Sequence, residues 1–536
     1  MEKAIVCACE DVSVHDVDAA IAHGYADIES LKRYTGLGTG PCQGKSCSVA
    51  ATRICLTRAA ASASASVSAS ASASASASVS VSRVVPFRAR PPQTPTSLAA
   101  YAGLPLEDLP PPRAAAPSAA RPSSGARPLP GPAPHQAPQA ALLAGLDQPG
   151  LPLTRAPLPE RAGTVIIGGG IMGLALAWHL AGKGEKPLVL ERGYLCAGAS
   201  GRNGGGVRAQ WTTPTLIELA KESIAFMDRF AQELGINIWL RKGGYLFLAQ
   251  DDATVKRIEA GAALHRKHGL ATRIVTPGEA GELAPELDTS TFLAASWNPD
   301  DGVVFPWPFL WGYADGARKR GAQIETFTQV TGLDVEGGHI RGVRTDRGRV
   351  ACDRVVISSG AWSPQVARLA GVSLPNQPYR HEIVSSEPLK PFLGPLVSNL
   401  GSGLYFSQSM RGEIVGGMGD PLEPPGLNQS SSLRFLARYA RALTEAMPRV
   451  GHVKLLRQWA GCYDVTPDHS PIVGETPGVA GLLQMSGFVG HGFMMAPAVA
   501  RRMADWMGGA QDEMFERYAL GRFAAGRLEH ESFIIG

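Results

Sequence analysis

The sequence predicts an α/β chain: a parallel βαβ region, a second and mostly antiparallel sheet, and a small helical N-terminal domain set off by a long linker. Three observations carry this reading. A G-x-G-x-x-G turn at Gly168, Gly170 and Gly173 lies between an apolar strand and an apolar helix. Five of the eight cysteines (Cys7, Cys9, Cys42, Cys47 and Cys55) fall within the first 55 residues. Between these regions the composition changes abruptly, first to an Ala-Ser repeat and then to Pro-rich sequence.

With 536 residues, of which 44% are hydrophobic and 18% charged, the chain can bury a large core. At about 150 residues per domain, three or four domains fit. The 51 basic and 47 acidic side chains leave a net charge of +4. That is too little for a dedicated nucleic-acid or membrane-surface binder, so small molecules and proteins are the expected partners. The N-terminus MEKAIVCACEDV lacks a basic segment followed by an apolar run. No stretch reaches the roughly 18 to 20 apolar residues of a membrane span. Clustered cysteines suit a metal centre in a reducing compartment better than a disulfide framework, and the expected location is cytoplasmic.

Residues 1 to 56 are read as the cysteine-bearing domain. Residues 57 to 160 are read as a linker, because the Ala-Ser repeat has no core to build and residues 86 to 159 hold 19 of the 41 prolines. Within it, RPPQTPTSLAAYAGL (90 to 104) carries enough Leu and Tyr to dock locally. Residues 161 to 530 form the large domain. There TVIIGGGIMGLALAWHLAGKGEKPLVLE reads as strand, tight turn, helix and strand. Thr213 and Pro214 cap and open a helix that stops at Gly235, and Ser432 to Met447 reads as another. Strand-like pieces (GGYLFLAQ, GLYFSQ, GEIVGGM, LLRQWAGCY and GLLQMSG) have spacings that favour antiparallel pairing.

The three glycines have separate roles. Gly168 permits the tight turn, Gly170 lets a pyrophosphate approach the backbone, and Gly173 lets helix pack on strand, which places phosphate at a helix N-terminus. Glu191 follows 18 residues after Gly173, where a carboxylate can accept both ribose hydroxyls. FAD rather than NAD is indicated by three further segments. GYLCAGASGRNGGGVRAQW offers Ser200, Arg202 and Asn203 in a long Gly-rich loop. RGVRTDRGRVACDRVVISSGAWS is a strand, turn and strand ending at Gly360. AGCYDVTPDHSPIVGE, followed by GLLQMSGFVGHGFMMAPAVARRMADW, brings Gly490, Gly492 and a helix start near Ala496, whose amides can face a flavin ring.

These segments resemble the FAD-dependent D-amino-acid-oxidase-like superfamily, closest to the flavin subunits of heteromeric sarcosine oxidases, opine oxidases, proline dehydrogenases and hydrogen cyanide synthase. The resemblance implies a Rossmann-like, glutathione-reductase-type α/β FAD-binding domain with an antiparallel-sheet substrate subdomain. It implies that Gly168, Gly170, Gly173, Glu191, Ser200 and Arg202 bind the ADP moiety and that Val330 contacts adenine through its backbone. Thr466, Asp468 and Gly490 to Gly492 would then lie near the flavin. The chain departs from the sarcosine oxidase pattern at VVFPWPFLWGYADGA, where Pro306 stands near the histidine that carries a covalent FMN. FAD is therefore expected to be non-covalent, with FMN only at a subunit interface.

Cys7-x-Cys9 and Cys42-x4-Cys47 supply four thiolates in two close pairs, a set that suits zinc or an iron-sulfur cluster; spacing alone does not choose. The surrounding CACEDVSVHDVDAAIAHGYADIESLKRYTGLGTGPCQGKSC resembles the bacterioferritin-associated-ferredoxin-like domain of amine and opine oxidase subunits, which implies [2Fe-2S]. Cys55 reads as a spare thiol, and Cys196, Cys352 and Cys462 as small core residues.

The resemblance implies oxidation of an amino acid or secondary amine by hydride transfer to flavin N5. A one-electron cluster in the same chain implies electron exit to an acceptor protein or quinone, within a complex of companion subunits. The substrate carboxylate needs a cation, for which Arg380, Arg411 and Arg457 are candidates, and His491 is the candidate for polarising flavin or substrate. Two other readings stay open. One is a glycerol-3-phosphate or 2-hydroxyacid dehydrogenase, disfavoured because the C-terminal half shows no concentrated basic cluster. The other is a non-catalytic electron-transfer or scaffold subunit.

Overall fold

In the computed structural model the described residues are 4–40, 42–44, 47–67, 95–112 and 157–534. Most of the Ala-Ser repeat and of the Pro-rich stretch lies outside them. The chain divides into two compact units, Met1–Ala89 with Ala115–Pro157, and Arg90–Ala114 with Leu158–Gly536.

In the first unit, β1 (Ile5–Cys7) and β2 (Val12–Ser13) form an antiparallel ribbon. Ser13 and Asp16 make a capping box that starts the helix Val14–Ala22. Asp27 caps the helix Ile28–Thr35, which Gly36 ends in the left-handed region. A third helix, Ser48–Val67, continues past residue 56, where the sequence reading ended the domain. Val17, Ala20, Ile28, Leu31 and Ala51 share the core with Cys7, Cys47 and Cys55.

The second unit holds two large sheets. In the first, β11 (Gln323–Glu325), β5 (Leu188–Leu190), β4 (Arg161–Ile167), β14 (Gly348–Ile357) and β21 (Leu482–Ser486) run parallel in that order. β12 (Val330–Glu336) and β13 (His339–Thr345) join the first half of β14 as an antiparallel meander, and β20 (Ile472–Glu475) pairs with β21. The sequence reading grouped GLLQMSG with the antiparallel strands. It is β21, which pairs antiparallel with β20 on one side and parallel with β14 on the other, and all five of its residues are buried.

The second sheet has the order β3 (Thr96–Ser97), β19 (Lys454–Val465), β15 (Gln377–Pro388), β18 (Glu413–Met418), β17 (Tyr405–Gln408), β16 (Leu396–Asn399), β7 (Tyr245–Ala249), β9 (Ala294–Asn298) and β8 (Arg273–Val275). Only the β16–β7 pair is parallel. A two-residue ribbon, β6 (Gly206–Val207) with β10 (Gly302–Val303), lies outside both sheets. The helix opened by Pro214 spans Pro214–Asp228, and a second runs Phe230–Leu234 to the left-handed Gly235. Thr213 precedes it without a side-chain capping bond. Ser432 does cap Leu433–Ala446, accepting from the Phe435 amide.

Candidate active site

The turn after β4 is built for close approach. Gly168 has φ +118°, and a Cβ there would lie 2.5 Å from the Ser358 carbonyl oxygen. A Cβ on Gly173 would lie 2.2 Å from the Gly168 carbonyl. Gly170 caps the helix Ile171–Gly182, and the Ser200 hydroxyl accepts from the Ile171 amide at 3.0 Å. Ser200 is thus folded over the helix start where a phosphate would sit.

Glu191 follows β5, its carboxylate accepting from the Gly169 amide at 2.8 Å and the Gly193 amide at 2.7 Å. Burial raises its carboxyl above the ordinary value, while those two amides pull the other way. Its own carbonyl accepts from Thr328 N at 2.8 Å, two residues before Val330 opens β12. Gly360 (φ +50°) has open space where a Cβ would point, and the Ser359 hydroxyl just before it donates to Ile167 O at 2.8 Å. The dinucleotide set chosen from sequence therefore converges on one end of the parallel sheet, with Arg202 and Asp468 differently engaged.

Arg202 ties the loop to β19, its Nε donating to Ala197 O at 2.8 Å and its Nη1 to Ala460 O at 2.9 Å. Asp468 meets a bidentate partner in Arg522, at 2.7 and 2.9 Å, and both side chains are buried. It fixes the turn between β19 and β20 rather than facing a ligand. Thr466 supports the same turn by donating to Ser470 O.

The segment containing Gly490, His491 and Gly492 crosses the face of β19. Asp464 accepts from the Gly487 amide at 2.6 Å, and burial pushes its carboxyl up to about 6. Val489 and Gly490 both take positive φ (+49° and +79°), and a Cβ on Gly490 would fall 2.3 Å from the Tyr463 ring. His491 is buried edge-on to Trp211 at 4.8 Å. Desolvation first, then the charge of Arg208, holds its imidazole well below the usual range, so it is neutral.

Arg380 does not serve as the carboxylate anchor expected of it. It forms a bidentate pair with Glu423 (3.0 and 2.7 Å), lies 3.7 Å from Glu382 and donates to Ser430 O. The reason is strand alternation: on β15, Arg380 points to the side of Glu423, and the next residue, His381, points to the site. Arg457 and Arg411 both pair with Glu413.

Sequence reasoning missed the groups on the site face of this sheet. His381 Nε2 lies 3.0 Å from Tyr405 Oη, and its ring stacks on Tyr463 with centroids 4.7 Å apart. Tyr405 in turn hydrogen-bonds Tyr463. Burial lowers His381 to about 4. The Gly-rich loop closes this face: a Cβ on Gly204 would touch Ile383, Val415 and Tyr405, and one on Gly206 would come 3.4 Å from Tyr245 Oη. Beneath it Arg208 is fully buried, its Nη atoms on the Gln210 and Phe533 carbonyls and its guanidinium 3.7 Å over Trp211. The available signal was alternation in YRHEIV and GCYDV, which puts His381 and Tyr463 on one face.

In the N-terminal unit the four candidate ligands converge in two pairs, Cys9 with Cys42 and Cys7 with Cys47, each joined by a thiol hydrogen bond. A Cβ on Gly40 would lie 2.5 Å from Cys9 Cβ, so the two loops meet only because residue 40 is glycine. Burial pushes Cys47 up to about 12. Among the described residues no group of three or more His, Cys, Asp or Glu is placed to hold a metal ion. Cys55, Cys196, Cys352 and Cys462 are buried and unbridged.

Comparison with known proteins matches residues 164–506 to the FAD dependent oxidoreductase family and residues 1–104 to the sarcosine oxidase A3 domain. The chain is 31% identical over 388 residues to sarcosine oxidase subunit beta of Rhodobacter capsulatus, covering 70% of this chain and 92% of that protein. It is 28% identical to mouse mitochondrial dimethylglycine dehydrogenase, over 65% of this chain and 42% of that protein. The crystal structure of L-proline dehydrogenase from P. horikoshii superposes with a TM-score of 0.66 at 34% identity, over 70% of this chain and all of that one. Glycine oxidase from Geobacillus kaustophilus gives 0.63 at 25%, over 68% and 99%. No described helix is long and apolar enough to cross a membrane. The glycine cradle, the half-buried Glu191 and these matches agree: the chain belongs to the FAD-dependent oxidoreductase family, among its amine and amino-acid oxidoreductases, and carries a sarcosine oxidase A3 domain.

Proposed function

We propose that the protein oxidises a small amino acid or secondary amine of the sarcosine, proline, glycine or opine type, acting as a dehydrogenase within a heteromeric complex. The observation that carries this is the meeting of the Gly490 turn with the aromatic face of Tyr405, Tyr463 and His381. Non-covalent FAD, when bound, supplies the hydride acceptor. Gly168, Gly170, Gly173 and Ser200 give the pyrophosphate its amides and close backbone, and Glu191 takes the ribose hydroxyls. Val330 and Gly360 border the adenine end, and Gly490 and Gly492 present backbone to the ring.

The chain's own groups then exclude water and orient the amine. His381 and His491 are neutral, so neither repels an incoming amine. Tyr405 and Tyr463 offer hydroxyls that can meet its nitrogen. Arg208 lends the site positive potential that favours a substrate carboxylate, without direct contact, because it is fully enclosed.

Cys7, Cys9, Cys42 and Cys47 would hold a [2Fe-2S] cluster, which would supply one-electron transfer toward an acceptor protein or quinone. What supports this reading is the approach of the four thiols in two pairs, Cys9 with Cys42 and Cys7 with Cys47. Replacing Cys42 or Cys47 by Ser tests the exit route. The expected result is loss of the cluster's visible absorption with FAD bound and reducible by substrate, and a fall in acceptor-linked turnover. Full acceptor-linked turnover in these variants counts against the route.

A further inference from the structure

The two family matches divide the chain at residue 104, yet the structure places the last part of the A3 match on the flavoprotein unit. β3 adds antiparallel to β19, with Ser97 opposite Lys454 and Thr96 opposite Leu455, and Leu98 N donates to Val453 O at 2.9 Å. Ser97 then caps the helix Leu98–Ala102. Leu98 and Tyr101 are buried in the same core cluster as Leu436, Tyr439, Leu443 and Leu455. Arg441, on the helix Leu433–Ala446, closes the segment by donating to the Ala102 and Leu104 carbonyls. An edge strand with open backbone groups is a standing site for strand addition, and here β19 is such an edge, covered by A3 sequence.

We propose that Thr96–Leu104 is a docking element that holds the N-terminal cysteine-bearing unit to the flavoprotein, with the β19 edge and the helix Leu433–Ala446 as its receptor. The connection through residues 113 to 156 is then dispensable for association. The docked strand also shortens the tether. The helix Ser48–Val67 is joined to the flavoprotein through residues 68 to 95, at most about 100 Å of chain, instead of roughly 300 Å through to β4. This inference is independent of which amine is oxidised.

The test uses the full chain with a sequence-specific protease site inserted after Gln136 or, separately, after Ser80. Cut after Gln136, the two fragments should co-elute on size exclusion. Cut after Ser80, the cysteine-bearing fragment should separate. Leu98→Asp combined with Tyr101→Asp should release the fragment cut after Gln136, weakening association by about 100-fold or more, as expected when central buried anchors are lost. Retained FAD absorbance shows the receptor still folded. Because the double variant can unfold locally, a synthetic peptide of residues 95–112 in excess provides a second arm, and it should displace the wild-type fragment. Separation of the wild-type fragments after the Gln136 cut overturns the proposal. So does co-elution after the Ser80 cut, or a peptide that displaces nothing while the fragments stay together.

Discussion

Gly490 lies against the face of Tyr463 so closely that a Cβ would sit 2.3 Å from the ring. This contact joins the turn expected to lie over the flavin to the sheet expected to hold the substrate. Gly490→Ala therefore faces both a clash and a positive φ of +79°. Its substrate-driven flavin reduction should fall at least about tenfold, as expected for a displaced site. Combining it with Tyr463→Leu should recover FAD retention but not rate. Unchanged reduction in Gly490→Ala would mean the turn is not part of the site.

Glu191 is held by two amides and has oxygen lone pairs left for ribose. Glu191→Gln should weaken FAD binding by about 10- to 100-fold, the worth of a charge-assisted hydrogen bond. The ratio of flavin to protein absorbance after dialysis reads this directly. In the wild type, acid precipitation should leave all the yellow colour in the supernatant.

Asp468 and Arg522 are a buried pair, so removing one partner should cost about 3 to 5 kcal/mol by stranding the other charge. Arg522→Met should lower the urea midpoint sharply, and adding Asp468→Leu should restore much of it. A variant that changes the flavin spectrum without losing stability would return Asp468 to the cofactor.

His265 is fully buried and is lowered to about 4 by desolvation, its Nε2 donating to Trp211 O at 2.8 Å. The unfolded chain protonates this histidine near its ordinary value and the folded chain only near 4. The stability held above about pH 6.5 is thus lost as pH falls toward 4, at up to about 1.4 kcal/mol per pH unit. Urea unfolding between pH 4.5 and 7.5 should show this slope reduced in His265→Gln, which keeps a donor for Trp211.

The expectation for the nucleotide end rests on local pattern. Gly168, Gly170, Gly173 and Glu191 sit within one βαβ unit, and their roles follow from backbone geometry a few residues apart. The docking of residues 96 to 104 is signalled by Leu98 and Tyr101 amid prolines. Other features depend on partners distant in sequence: Arg380 is claimed by Glu423 and Asp468 by Arg522, and neither pairing is marked by any spacing. The same strand alternation that removed Arg380 from the site brought His381 into it. Alternation in YRHEIV separates His381 from Arg380, but only the register of β15 against β19 shows which of the two faces is the site.

The central claim is that a C–H bond beside an amine nitrogen delivers its electrons to FAD in this protein. Anaerobic mixing of the purified flavoprotein with sarcosine, N,N-dimethylglycine, the enantiomers of proline, glycine and a set of opines tests it most directly, with the visible flavin band followed in time. The account predicts that at least one of these amines bleaches the band, and that Gly490→Ala slows the bleaching. A band that persists with every amine, in protein whose flavin dithionite still reduces, would contradict it.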